Sequence, residues 1–194
     1  MTSTRLAAAT AAALLTAALA NPASSAAAAN SATTSIPVDP ATLIEMHVNA
    51  NCVTAEGTCH FDTQANLLTA GTPDGFPQDT WARQTITLRS SVRDVWQEAQ
   101  YSAPAGMPRE SKGANHDNVL SKLYKAVDTV QISVTYFGGG PMDRFHVDGD
   151  TVPTDWSSGR PALGAQLIVC SDIQVVYGGV NLSVPTACAQ TAFS

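Results

Sequence analysis

From Thr129 to Phe137 the chain alternates, with Val130, Ile132, Val134 and Tyr136 on one parity and Thr129, Gln131, Ser133 and Thr135 on the other. This period of two predicts a half-buried strand of an antiparallel sheet. The β-branched run from Leu167 to Tyr177 predicts a second strand. Gly178-Gly179 then marks a turn, and apolar character resumes over Val180 to Val184, which makes a hairpin about Gly179. Thr58 to Thr69 predicts a third strand. Between Trp81 and Tyr101 two periods compete: Thr85-Ile86-Thr87-Leu88-Arg89 alternates, while Trp81, Thr85, Leu88, Val92, Val95 and Ala99 fall at helical spacing. The Thr-rich start favours a strand over 83–93.

Two stretches read as helices. Asp39-Pro40 offers an N-cap followed by proline at the first helical position, with Leu43, Ile44 and His47 on one face of a helix over 40–48. Asp117 can cap a second, running through Val119, Leu120, Leu123, Tyr124 and Val127. Residues 30–38, rich in Ser, Ala and Thr, read as a flexible leader, and 72–77 and 102–116 as loops. Neither an internal repeat nor a domain boundary is evident. The expected fold is mainly β, with α+β as the alternative: a single antiparallel, sandwich-like domain over 39–194 with one to three short helices.

The first 29 residues are of another kind: 14 are Ala and the only charge is Arg5. A short basic start, an apolar run from Leu6 to Ala20, a break at Pro22 and small residues through Ala29 form the three parts of a secretory signal peptide, cleaved between Ala27 and Asn30. The run is too short and too Ala-rich for a spanning helix. No lasting membrane insertion is therefore expected after cleavage, and the exported chain is expected to be extracellular.

Export changes the reading of the four cysteines, Cys52, Cys59, Cys170 and Cys188. In an oxidising compartment an even count reads as two disulfides with three possible connectivities. The hairpin about Gly179 sets position 170 across from 188, and Cys52 and Cys59 bracket a plausible tight turn, so the local pairing is favoured. The longer loop would make the second bridge the more stabilising. Cys52, Cys59 and His60 could offer three metal ligands, but the matched close pairs typical of structural zinc are missing, and no metal or cofactor is expected.

Of 194 residues, 44% are hydrophobic and only 13% charged, enough apolar chain for a core and too little charge for a solvated coiled coil. The 10 bases against 16 acids, net −6, argue against a nucleic-acid partner. Seven of the bases fall within 83–125, which reads as a solvated face. Asn51-Cys52 with Gly57-Thr58-Cys59 and Phe61, Trp81-Ala82-Arg83-Gln84-Thr85, Ile168-Val169-Cys170, Val175-Val176-Tyr177, Gly179-Val180-Asn181-Leu182 and Cys188-Ala189-Gln190-Thr191, behind an Ala-rich leader, resemble exported proteins of mycobacteria and related actinobacteria. The resemblance implies secretion and names no substrate.

The chain holds no G-x-S-x-G elbow, H-E-x-x-H pair or phosphate-cradling loop, and Asp143, Asp148, Asp150 and Asp155 miss the spacing of a calcium loop. The candidate binding residues follow Gly138-Gly139-Gly140: Asp143, Arg144, Phe145, His146 and Asp148 combine acid, base, imidazole and aromatic after a strong strand. The expected function is a secreted, non-enzymatic module that binds an envelope component, a host protein or a small molecule. The alternative is a secreted hydrolase with a fold-assembled acidic and histidine site, for which Asp143 or Asp148 would have to lie within hydrogen-bond reach of His146 in a cleft.

Overall fold

The computed structural model describes residues 30–194; the expected signal peptide, 1–29, lies outside the described residues. Thirteen strands follow one another: β1 (Ser31–Asp39), β2 (Thr42–Val53), β3 (Thr58–Thr69), β4 (Thr72–Asp74), β5 (Trp81–Ser90), β6 (Val95–Ser102), β7 (Asn115–His116), β8 (Val119–Lys125), β9 (Thr129–Phe137), β10 (His146–Asp155), β11 (Leu167–Tyr177), β12 (Val180–Ser183) and β13 (Ala187–Thr191). They form two antiparallel sheets. The first has the order β1-β2-β3-β10-β6 with β4 on β3, and the second the order β12-β11-β5-β9-β8-β7 with β13 on β11. This is the expected mainly β sandwich.

Its core follows from the alternation. Ile44, Met46, Val48 and Ala50 of β2 and Phe61 of β3 point inward against Ile86 and Leu88 of β5, Ile132, Val134 and Tyr136 of β9, and Val169, Ile173 and Val175 of β11. One polar network crosses this interior. Gln84 Nε2 donates to Thr63 Oγ1 of the opposite sheet at 2.8 Å and to Ser171 Oγ at 3.4 Å, and its Oε1 accepts from the Tyr136 hydroxyl at 3.0 Å. All four residues are fully buried. Water could not serve these groups, so the network fixes how the two sheets meet.

Both expected helices are strands. Of the helix-spaced residues of 40–48 only Ile44 joins the buried period-two series Ile44, Met46, Val48, Ala50 and Cys52, while Leu43 and His47 lie on the opposite face of the strand. Asp39 Oδ1 does accept from a backbone N–H, that of Ala41 at 2.8 Å, but it closes the β1–β2 turn instead of starting a helix. Asp117 and Asn118 take positive φ, 41° and 63°, which forms the β7–β8 hairpin turn, and beyond it Val119 and Ser121 are buried on alternate positions of β8. The only helical segment among the described residues is a 3-10 turn, Met142–Phe145.

The expected flexible leader is also a strand, because β1 pairs along β2 from Ser31 opposite Asn49 and packs Ala32, Ile36 and Val38 against the core. The strand expected over 83–93 starts at Trp81 and ends at Ser90, and Val92 lies in an exposed turn before β6. The expected loop 102–116 is interrupted by β7, and the expected loop 72–77 begins with β4.

Both disulfides form, Cys52–Cys59 and Cys170–Cys188, and leave no free cysteine among the described residues. Cys52 and Cys59 stand opposite each other across the β2–β3 hairpin. The second pairing needed one adjustment. β12 pairs with β11 as Tyr177 to Val180 and Gln174 to Ser183, a register that would place Ala187 opposite Cys170. Pairing resumes in β13 one residue later, with Cys170 opposite Cys188. The extra residue falls around Pro185, which has no N–H to offer a ladder.

Candidate functional site

The strand alternation that builds the core also fills the outer face of the first sheet with polar side chains. On β2 these are Glu45, His47, Asn49 and Asn51, on β3 His60, Asp62, Gln64 and Asn66, and on β10 His146, Asp148 and Asp150. Antiparallel register lines them into rows. His47 faces Gln64, which faces His146; Asn49 faces Asp62, which faces Asp148; Asn51 faces His60, which faces Asp150. Their apolar neighbours along each strand turn inward, so a one-residue slip would bury the whole polar set.

The rows are bonded to one another. Asn49 Nδ2 donates to Asp62 Oδ1 at 2.9 Å, and His146 Nε2 stands 3.8 Å from the same oxygen. The imidazole beside it, and then the Asn49 amide, hold the Asp62 carboxyl below its usual range against the opposing effect of partial burial. Reciprocally, Asp62 raises the pKa of His146 despite burial, with Asp148 and Asp143 adding at longer range. Arg109, from the loop after β6, lies across two carboxylates, with Nη2 3.0 Å from Asp148 and Nη1 3.2 Å from Asp150. Thr33 and Glu45 flank His47 at 3.0 and 3.3 Å. Asn49, His60, Asp62, Arg109 and Asp148 line an open depression of about 540 Å³.

The five residues singled out by sequence separate. His146 and Asp148 share this outer face, because they lie two apart on β10. Asp143 is exposed on the 3-10 turn. Arg144 turns away, donating from Nη1 to the Asp117 carbonyl at 2.9 Å and so fastening the 3-10 turn to the β7–β8 hairpin. Phe145, expected at a ligand, is a core residue instead: it is fully buried, 4.6 Å from both the Phe76 and Tyr136 rings. The preceding glycines are needed for close approach, since a Cβ on Gly139 would sit 1.8 Å from the Pro77 carbonyl oxygen.

Asn49, Asp62 and Arg109 carried no signal of their own in the sequence, and His60 stood out only as a possible metal ligand beside Cys52 and Cys59, both of which are in a disulfide. The signal was present as alternate polar positions in 45–51 and 60–66, but reading 40–48 as a helix put them on no common face. The carboxylate nearest His146 is that of Asp62, and neither Asp143 nor Asp148 is within hydrogen-bond distance. Among the described residues no hydroxyl or thiol hydrogen-bonds the imidazole.

No family model and no curated protein matches the chain. A solved structure described as "Pore forming protein" is similar over 83% of this chain and 86% of its own length, at 6% identity and a TM-score of 0.23, a likeness that carries no argument about function. Among the described residues no helix is long and apolar enough to cross a membrane, and the two disulfides are compatible with an extracellular protein.

Proposed function

We propose that the chain is a secreted, non-enzymatic binding module that takes a polar ligand on the outer face of its first sheet, through His146, Asp148, Asp62, Asn49 and Arg109. The observation that supports this is the row Asn49–Asp62–Asp148, in which three strands present an amide and two carboxylates side by side next to an imidazole and a guanidinium. Such a face offers donors and acceptors at fixed spacing on rigid strands, and it recognises a ligand by hydrogen bonds. It is open to solvent, which suits recognition better than chemistry that depends on excluding water. The disulfides agree with export, as does the resemblance to mycobacterial exported proteins.

A hydrolase would have to use Asp62 and His146 as its pair. Against this, among the described residues no hydroxyl or thiol hydrogen-bonds the imidazole, so the pair has no nucleophile to activate. The test is a binding screen of the purified, oxidised protein against arrayed oligosaccharides, peptides and polyamines, repeated with Asn49→Ala and Asp62→Ala. Loss of a bound ligand in both variants, with unchanged melting temperature, supports the reading. Binding that ignores both substitutions, or turnover of a chromogenic ester that Asp62→Ala abolishes, overturns it.

A further inference from the structure

The polar rows do not end the outer face. β6 continues the sheet beyond β10, with Ser102 opposite Asp148, Gln100 opposite Asp150, Glu98 opposite Val152 and Trp96 opposite Thr154. Opposed residues of an antiparallel pair share a face, so Gln100, Glu98 and Trp96 occupy the same side as Asp148. The ladder runs on past β10, where the Trp156 N–H donates to the Asp94 carbonyl at 2.9 Å, which keeps Trp156 in register two positions beyond Thr154. A second depression, of about 310 Å³, opens at the β6 edge, lined by Glu98, Gln100, Asp150 and Val152 of the first sheet and by Leu123, Lys125 and Val130 of the second. The Arg109 guanidinium, bonded to Asp148 on one side and Asp150 on the other, stands between the two depressions.

The far end is aromatic and held still. Trp156 is 62% exposed, with its ring centroid 5.3 Å from that of Trp96, edge to face. Lys125 Nζ lies 4.4 Å from the Trp96 ring centre and supports it from the other sheet. Behind Trp156 the turn is locked: Asp155 Oδ1 accepts from the backbone N–H and hydroxyl of both Ser157 and Ser158, at 2.7 to 3.1 Å. These bonds hold the Asp155 carboxyl down to about 2, so the lock persists at any physiological pH. An exposed indole fixed in this way offers contact area with little ordering cost on binding.

We infer that this outer face, from the Asn49–Asp62–Asp148 row to Trp156, binds a linear, neutral glycan, with Trp156 stacking on a sugar ring at one end and Asn49, Asp62 and His146 bonding hydroxyls at the other. This deepens the binding-face reading above and rests on it. From Asp148 to Trp156 the face runs eight residues along the strand, ~27 Å, long enough for several rings. A sugar presents an apolar C–H face, which an indole matches, and hydroxyls that both donate and accept. The Asn49 and Gln100 amides can do both, the carboxylates accept and Arg109 donates. The face carries Asp62, Asp148, Asp150 and Glu98 against Arg109 and Lys125, so an anionic polymer is repelled.

The test is calorimetric titration of the oxidised protein with neutral gluco-oligosaccharides of two and six units, and with the sulfated hexamer. Affinity should rise from the dimer to the hexamer, and the sulfated hexamer should bind more weakly than the neutral one. Trp156→Ala should raise the hexamer Kd about 10-fold or more, as truncation of a central aromatic anchor does, with the dimer unaffected. Trp156→Tyr should restore most of the loss, and Asn49→Ala should weaken both lengths. If Asn49→Ala weakens binding while Trp156→Ala changes nothing, the polar row stands as the binding face and its extension to Trp156 is overturned. If only a peptide or polyamine binds, or the sulfated hexamer binds better, the glycan assignment is overturned while the polar face survives.

Discussion

The His146 imidazole lies 3.8 Å from the Asp62 carboxylate, joining the first residue of β10 to the middle of β3. Because His146 is raised and Asp62 lowered, the pair is most favourable between their two ordinary values. The histidine's contribution is complete below about pH 6.5 and is lost as pH rises through its higher folded value. That of the aspartate is complete above about pH 3.8 and is lost as pH falls through its lower folded value. Titration of the His146 ring by NMR should give a pKa above the ordinary value, and Asp62→Asn should bring it down. Both side chains are partly exposed, so the stability at stake is under about 1 kcal/mol.

Arg144 and His146 should part company on substitution. Arg144 holds the carbonyl of Asp117 in a turn of positive φ, so Arg144→Ala should cost about 1–2 kcal/mol in urea unfolding and leave ligand affinity unchanged. His146→Ala should do the reverse, with a stability change within about 0.5 kcal/mol and weakened binding. Equal binding defects in the two variants would return Arg144 to the site.

The two disulfides should rank in the order opposite to that of their loop lengths. The 18-residue separation of Cys170–Cys188 constrains the unfolded chain more than the 7 of Cys52–Cys59, by about 0.8 kcal/mol of loop entropy. Cys52 and Cys59 are fully buried, however, while Cys188 is exposed. Replacing the inner pair by serine strands two hydroxyls in the core at about 1–3 kcal/mol each, which exceeds the entropic difference. Thermal melts of the two double-serine variants should show the lower midpoint for Cys52→Ser/Cys59→Ser.

Gln84 should be among the costliest single polar positions in the core. Gln84→Leu leaves the Tyr136 hydroxyl, whose pKa burial already pushes up, and the Thr63 hydroxyl without their partner. A loss of about 2–4 kcal/mol is expected by chemical denaturation. Adding Tyr136→Phe should cost less in the Gln84→Leu background than in the wild type, because the hydroxyl it removes is already stranded.

What the amino-acid order determined by itself was local: strands at Thr58–Thr69, Thr129–Phe137 and Leu167–Tyr177, where no helical period competes with the alternation or the β-branched run, and the two cysteine pairs, each joined across adjacent strands. Where two periods fit one segment, as at Leu43, Ile44 and His47, composition could not choose. The choice fell to β1 and β3, which hydrogen-bond β2 on both sides and make its alternation the buried pattern. The site was decided the same way. His146 and Asp148 could be named because they are neighbours in sequence, but Asp62 is 84 positions from His146, and Arg109 reaches Asp148 from a loop 39 positions away. A sheet face is assembled perpendicular to the chain, by register between strands. Only the pairing of β2, β3, β10 and β6 could bring these residues to one surface and send Phe145, a residue next to His146, into the core.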